Sequence, residues 1–102
     1  MADWTTFVPG GRRRIMADGE KLMLVQVELD QGAVVAAHSH PHEQVTYVNS
    51  GQLEFTLSGQ TQVLSAGQSV LIPSNEVHSV VAREACLLLD AFSPPREDFR
   101  SA

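Results

Sequence analysis

Residues 32–51, GAVVAAHSHPHEQVTYVNSG, decide the fold and the candidate site of this chain. Histidines occupy the alternate positions 38, 40 and 42, and Gln44 follows them. Side chains two residues apart on a β-strand point to the same face, so His38 and His40 can present their imidazoles side by side. The spacing predicts one half of a metal site.

The second half lies downstream in residues 67–78, GQSVLIPSNEVH, which end in His78. Two strand segments that each carry histidine predict one divalent metal ion clamped between them. Zn, Ni, Mn and Fe all accept three imidazoles plus an oxygen, so the residues do not choose among these metals.

Length and composition predict a single globular domain over residues 1–102, with 43% hydrophobic residues. No apolar run approaches the roughly 18 residues of a membrane span. The start, MADWTTF, has neither a basic nor an apolar signal region, so no signal peptide is expected. Cys86 is the single cysteine, which predicts a buried, inert thiol and a cytoplasmic protein.

The formal net charge of −5 argues against nucleic acid as a partner. Arg12, Arg13 and Arg14 form the basic cluster of the sequence. They are interpreted either as a solvated strand or loop, or as a source of one or two groups that hold an anionic ligand.

Short alternating segments predict an all-β fold. Residues 23–29 alternate with Met23 and Leu29 on the apolar face, and turn residues recur every eight to twelve positions. Eight to ten such strands indicate a β-sandwich or barrel, with residues 85–91 as its central strand. The expected divisions are a core of about 12–92, an N-terminal arm of 1–11 and a C-terminal tail of 93–102.

The two histidine segments read G-x5-H-x-H-x3-Q-x6-G from Gly32 and G-x5-P-x-N-x2-H from Gly67. Both patterns resemble the two motifs of the cupin family, which implies a double-stranded β-helix, or jelly-roll barrel, around a central metal. The metal ligands that the resemblance implies are His38, His40, Gln44 and His78.

Three positions depart from the family pattern, and at one of them, which is not a ligand position, Ala82 stands where the family has Asn. Gln44 stands where the family usually has Glu, and Asn75 stands where it has Gly, although Asn also tolerates left-handed backbone geometry. Glu43 is the alternative ligand, because a carboxylate is the better donor. Three imidazoles and a neutral amide would leave the metal its full double positive charge, which favours Lewis-acid chemistry over redox chemistry.

The segments HSHPHEQVTYV and LLLDAFSPPREDF are similar to those of small single-domain pectin-degradation cupins of the KdgF type. That resemblance implies conversion of 4,5-unsaturated monouronates, which pectate and alginate lyases release, into linear 5-keto-4-deoxyuronate. The substrate would be a small anionic sugar.

The residues of the last strand fit such chemistry. Asp90 lies in an apolar strand, where a carboxylate is costly unless it faces a cavity or is paired, so it is interpreted as the general acid and base. Phe92 would form an apolar wall beside the sugar ring, and Arg96 would donate paired hydrogen bonds to the carboxylate of the substrate. Tyr47 and Gln26 are further substrate-binding candidates. The alternatives are a structural ion pair for Asp90, a core position for Phe92 and pairing of Arg96 with a neighbouring acidic residue.

Two other functions remain open from the sequence. One is a different small-molecule cupin enzyme, a lyase or dioxygenase, and the other is a non-enzymatic sugar-binding or sensory cupin. The family also implies a homodimer, with Trp4, Phe7 and residues 12–16 as candidates for strand exchange.

Overall fold

A computed structural model of the protein describes residues 3–100. Within this range, ten β-strands and one short helix follow each other in sequence. Their bounds are β1 Thr5–Val8, β2 Gly11–Asp18, β3 Met23–Leu29, β4 Val34–His38, β5 Glu43–Ser50, β6 Gln52–Leu57, β7 Gln60–Ser65, β8 Ser69–Ile72, β9 His78–Ala82, β10 Cys86–Ser93 and α1 Glu97–Arg100. The predicted all-β fold is confirmed. No helix within the described range is long and apolar enough to cross a membrane.

The strands form two sheets that face each other. One has six strands in the order β1-β2-β3-β10-β5-β8, and the other has four in the order β4-β9-β6-β7. The pairs that join neighbouring strands are antiparallel, as in a jelly roll. β10 lies between β3 and β5, which confirms the prediction of a central last strand.

The core lies between the sheets because the strands alternate. Met23, Val25, Val27 and Leu29 of β3 are all buried, while the residues between them are partly exposed. Phe55 of β6 packs into the same core from the opposite sheet and is 1% exposed. Burial of side chains of this size stabilises a fold by about 1.5–3 kcal/mol each.

Turns are held by residues that accept positive φ. Asn75 has a φ of 67°, so the expectation that it replaces glycine in a left-handed turn is confirmed. Gly51 has a φ of 87°, and a Cβ added there would stand 2.2 Å from the carbonyl oxygen of Ala85. The two turns lie in the two histidine segments.

The ends of the chain differ from the expected arm and tail. Thr5–Val8 form an edge strand that pairs with β2 of the same chain, and the indole of Trp4 lies under the guanidinium of Arg14 at 4.4 Å. At the other end α1 folds back, and Arg100 forms two hydrogen bonds to the carboxylate of Asp18 on β2. The sheet therefore begins before residue 12, because apolar side chains in the arm find cover within their own chain.

Candidate active site

Three histidines meet at one end of the barrel. His38 ends β4 and His78 begins β9, and the strand register pairs these two residues directly. His40 follows in the loop after β4, held there by the backbone N–H of Asn75, which donates to its carbonyl at 2.8 Å. Among the residues that the structure describes, the three imidazoles each offer a ligand atom within 4.8 Å of the others.

Each of these rings is oriented by a backbone carbonyl. The Nδ1 atoms of His38, His40 and His78 lie 2.8, 3.0 and 3.0 Å from the carbonyl oxygens of Ala36, His42 and Glu76. A carbonyl only accepts, so Nδ1 carries the proton and Nε2 keeps its lone pair. This is the tautomer in which three Nε2 atoms can act as ligands.

Two further observations fit a cation at this point. The Nε2 atom of His78 is buried without a hydrogen-bond partner, which is costly unless something binds its lone pair. Burial lowers the pKa of His40 and His78, with Arg96 adding to the effect at His40, so both imidazoles stay neutral. Neutral imidazoles with unprotonated Nε2 atoms are the state that binds a divalent metal.

Gln44 brings an oxygen to the histidines from the other sheet. It is 6% exposed on β5, and its Oε1 lies 2.9 Å from Nε2 of His40. Both atoms have lone pairs in this arrangement, so they face each other favourably only with a cation beside them. Glu43, the alternative ligand, is exposed on the opposite face of the strand and does not join the group. The four donors of the cupin pattern are thus brought together.

A hydrogen-bonded chain connects Gln44 to Asp90. The register pairs Asp90 of β10 with Thr46 of β5, so both side chains point inward from adjacent positions. Oγ1 of Thr46 donates to Oδ1 of Asp90 at 2.7 Å and accepts from Nε2 of Gln44 at 3.0 Å. Loss of hydration raises the pKa of Asp90 to about 6, although Thr46 and Gln44 act against the rise.

The site opens into a cavity of about 390 Å3. His38, His78, Gln44 and Asp90 line one part of it, and apolar side chains such as Phe55 line the rest. This volume lies within the range of small-molecule sites, which is about 300–1,000 Å3.

Phe92 and Arg96 both reach the cavity. Phe92 is 3% exposed, and its ring stands 5.8 Å from the ring of His40, so it is at once a core residue and a wall. The guanidinium of Arg96 lies 5.1 Å above the ring of Phe92. It also donates to both carboxylate oxygens of Asp98, at 3.1 and 2.9 Å, which is the local pairing that the sequence left open. This pairing lowers the pKa of Asp98.

Tyr47 and Gln26, the further substrate-binding candidates, do not reach the cavity. Tyr47 is 39% exposed on the outer face of β5, because Gln44 and Thr46 take the inner face. Gln26 lies on the outer face of β3, where its Oε1 accepts from Arg14 at 2.8 Å. Neither residue is part of the cavity wall.

Several wall residues were missed from the sequence. Thr46 could have been found, because it stands two positions from Gln44 on an alternating strand. Phe7 and Phe99 also line the cavity, as does Arg13, which the sequence offered only as one member of the cluster Arg12, Arg13 and Arg14. They come from the two ends of the chain, and no local pattern brings those ends together.

Comparison with known proteins identifies the fold and its family. The family model of the cupin domain matches residues 25–92, which contain both histidine segments. This chain is a cupin. The cupin is 36% identical over 98 residues to the pectin degradation protein KdgF of Dickeya dadantii, covering 94% of this chain and 89% of that protein.

Solved structures extend the similarity to three dimensions. KdgF from Halomonas superposes with a TM-score of 0.90 at 40% sequence identity, over 95% of this cupin and 90% of that chain. An RmlC-like cupin from Shewanella frigidimarina superposes with a TM-score of 0.91 at 35% identity, over 95% and 87% of the two chains. The resemblance to KdgF-type cupins is therefore confirmed, and it covers nearly the whole chain.

Proposed function

We propose that this cupin converts 4,5-unsaturated monouronates into linear 5-keto-4-deoxyuronate by ring opening and tautomerisation. The observation that carries the proposal is the hydrogen-bonded chain from Gln44 through Thr46 to Asp90, which joins the three-histidine group to a carboxyl group inside one cavity. Similarity to the pectin degradation protein KdgF supports a substrate derived from pectin.

The reaction requires proton transfer between oxygen and carbon. As the bond between C1 and the ring oxygen breaks, the C1 hydroxyl loses its proton and becomes an aldehyde, while the ring oxygen takes up a proton and becomes an enol hydroxyl at C5. The enol then loses its hydroxyl proton and C4 gains one, which leaves a ketone at C5. Asp90, with a pKa of about 6, is present in both protonation states near neutral pH. It gives a proton to C4 and recovers one from the enol, so it ends the cycle in its starting state.

His38, His40, Gln44 and His78 would hold one divalent metal ion. When bound, the ion supplies a Lewis acid that polarises a substrate oxygen. The donors are neutral, so they do not diminish the positive charge that the substrate meets. The carbonyl bonds to Nδ1 keep the rings in place, so little reorganisation is needed on binding.

The remaining walls select and orient the sugar. Phe92 offers an apolar surface, and Arg96 places positive charge next to it. An anionic sugar is favoured over a neutral one by this charge. Asp90 stands on the same face of β10 as Phe92, so the proton-transfer group and the apolar wall approach the sugar from one side.

The decisive test uses metal-loaded protein and the unsaturated monouronate that a lyase produces. Loss of the ultraviolet absorbance of the conjugated carboxylate should be faster than the spontaneous reaction, and the acceleration should disappear in Asp90→Asn. Acceleration that survives this substitution would move proton transfer to another group. No acceleration with metal verifiably bound would contradict the proposed reaction and leave a lyase, dioxygenase or sugar-binding role.

Assembly and location belong to the same proposal. A homodimer and a cytoplasmic location remain predictions, as does the absence of a nucleic-acid partner. Phe7 lines the cavity of its own chain, so an exchange of β1 between two copies would carry a wall residue into the partner's site.

A further inference from the structure

The three consecutive arginines of β2 do not share a face. Arg12 lies outside, where it donates to Glu28 at 2.7 Å, and Arg14 lies outside with it. Arg13 pairs in register with Val27, a core residue that is 6% exposed, so it points between the sheets. It lines the same cavity as Asp90.

Aromatic rings hold the guanidinium of Arg13 in place. Its central carbon lies 3.8 Å from the ring centre of Phe99 and 5.0 Å from that of Phe7. The guanidinium of Arg96 contacts the same Phe99 ring at 4.2 Å. Stacking uses the flat face of a guanidinium and leaves its edge N–H groups for a planar acceptor such as a carboxylate.

This arrangement places two cations beside each other in a partly dehydrated wall. Burial lowers the pKa of Arg13, and the positive charge of Arg96 lowers it further. Asp98 offsets part of this charge, and its two oxygens already accept from Arg96. An anion bound at the cavity edge would offset the repulsion between the two guanidinium groups. Like charges held close together in this way are common at functional sites.

We propose that Arg13 binds the carboxylate of the anionic sugar, a role that rests on the proposed function. Arg96 stays paired with Asp98 and contributes positive charge, while Arg13 supplies the forked hydrogen bonds that distinguish a uronate from a neutral sugar. The N-terminal strands thereby take part in substrate selection.

The test compares Arg13→Gln with the outward-facing control Arg14→Gln in the metal-loaded, full-length protein. With the unsaturated monouronate, Arg13→Gln should raise KM by about 10- to 100-fold, as expected for lost charge-assisted bonds, with kcat changed far less. Calorimetric titration with D-galacturonate, a saturated analogue, should show a similar loss of affinity. Arg14→Gln should match the unsubstituted protein in both measurements.

A conservative variant separates binding from folding. Arg13→Lys keeps the positive charge and should recover part of the affinity, whereas a purely structural role predicts equal losses in both variants together with lower melting temperatures. An unchanged KM in Arg13→Gln, or a loss confined to Arg96→Gln, would overturn the assignment. A protein that turns over no uronate before any substitution would instead contradict the proposed function itself.

Discussion

Replacement of Asp90 by Asn should make the protein more stable while it removes activity. The raised pKa means that ionising Asp90 costs folding free energy. A shift from 3.8 to about 6 is roughly 2 units, or about 3 kcal/mol at 1.36 kcal/mol per unit. Asp90 is not fully buried, so solvent in the cavity reduces this value, and about 1–3 kcal/mol is expected.

The sign of the pH dependence follows from the direction of the shift. Below the unfolded pKa of 3.8 the carboxyl is protonated in both states, and no cost arises. Between pH 3.8 and about 6 the unfolded state ionises while the folded state keeps its proton, so the unsubstituted protein loses stability relative to Asp90→Asn, and the loss levels off above pH 6. The gap between the two proteins should widen by about 1 kcal/mol from pH 5 to pH 8.

Urea denaturation of chelator-treated protein at these two pH values measures the gap. Asp98→Asn is the matched control, because its ion pair with Arg96 lowers the pKa of Asp98. At neutral pH the free energy of unfolding of Asp98→Asn should be lower than that of the unsubstituted protein. This difference should shrink as the pH falls toward the lowered pKa of Asp98 in the folded protein. Equal stability of Asp90→Asn and the unsubstituted protein at pH 8 would refute the reasoning that Asp90 is held in a dehydrated site.

Three further substitutions test the chain of contacts from the histidines to the acid. His78→Ala removes one of three imidazoles and should weaken metal binding by more than about 100-fold, measured as metal retained after dialysis against a chelator. Gln44→Glu adds a charged ligand and should tighten metal binding in the same assay, while turnover of the uronate falls because the ion is partly neutralised. Thr46→Val should leave retained metal unchanged but slow turnover and cost about 1–3 kcal/mol in urea denaturation, since Asp90 and Gln44 each lose a partner.

Much of the fold was predictable because burial follows strand alternation. The apolar face of β3 appears directly in the sequence as Met23, Val25, Val27 and Leu29. The left-handed turn at Asn75 was also predictable, since few residue types accept its φ. These features depend only on local chemistry and on the period of a strand.

The residues of the candidate site that belong to a short sequence motif were predictable. The cupin spacing named His38 and Gln44, and the apolar surroundings of Asp90 signalled a special carboxylate. Tyr47 does not reach the cavity, and strand alternation explains why: it stands an odd number of positions from Gln44 on the same strand, so its side chain faces outward.

The choice of Arg13 among the three consecutive arginines was beyond local reasoning. A run of three arginines does not show which one points inward, and that choice depends on the register between β2 and β3. Its contact with Phe99 joins opposite ends of the chain. A sequence pattern shows which residues share one face of a strand. The part of the cavity wall formed by Arg13 and Phe99 depends instead on how the two ends of the chain pack together.

The most direct test of the central claim is the metal dependence of uronate conversion. Protein treated with a chelator, then reloaded with one divalent metal, would be mixed with lyase-generated unsaturated monouronate and followed by proton NMR. We predict that the reloaded protein forms linear 5-keto-4-deoxyuronate faster than the spontaneous reaction and that the chelated protein does not. Equal rates for reloaded protein, chelated protein and buffer alone would contradict the account.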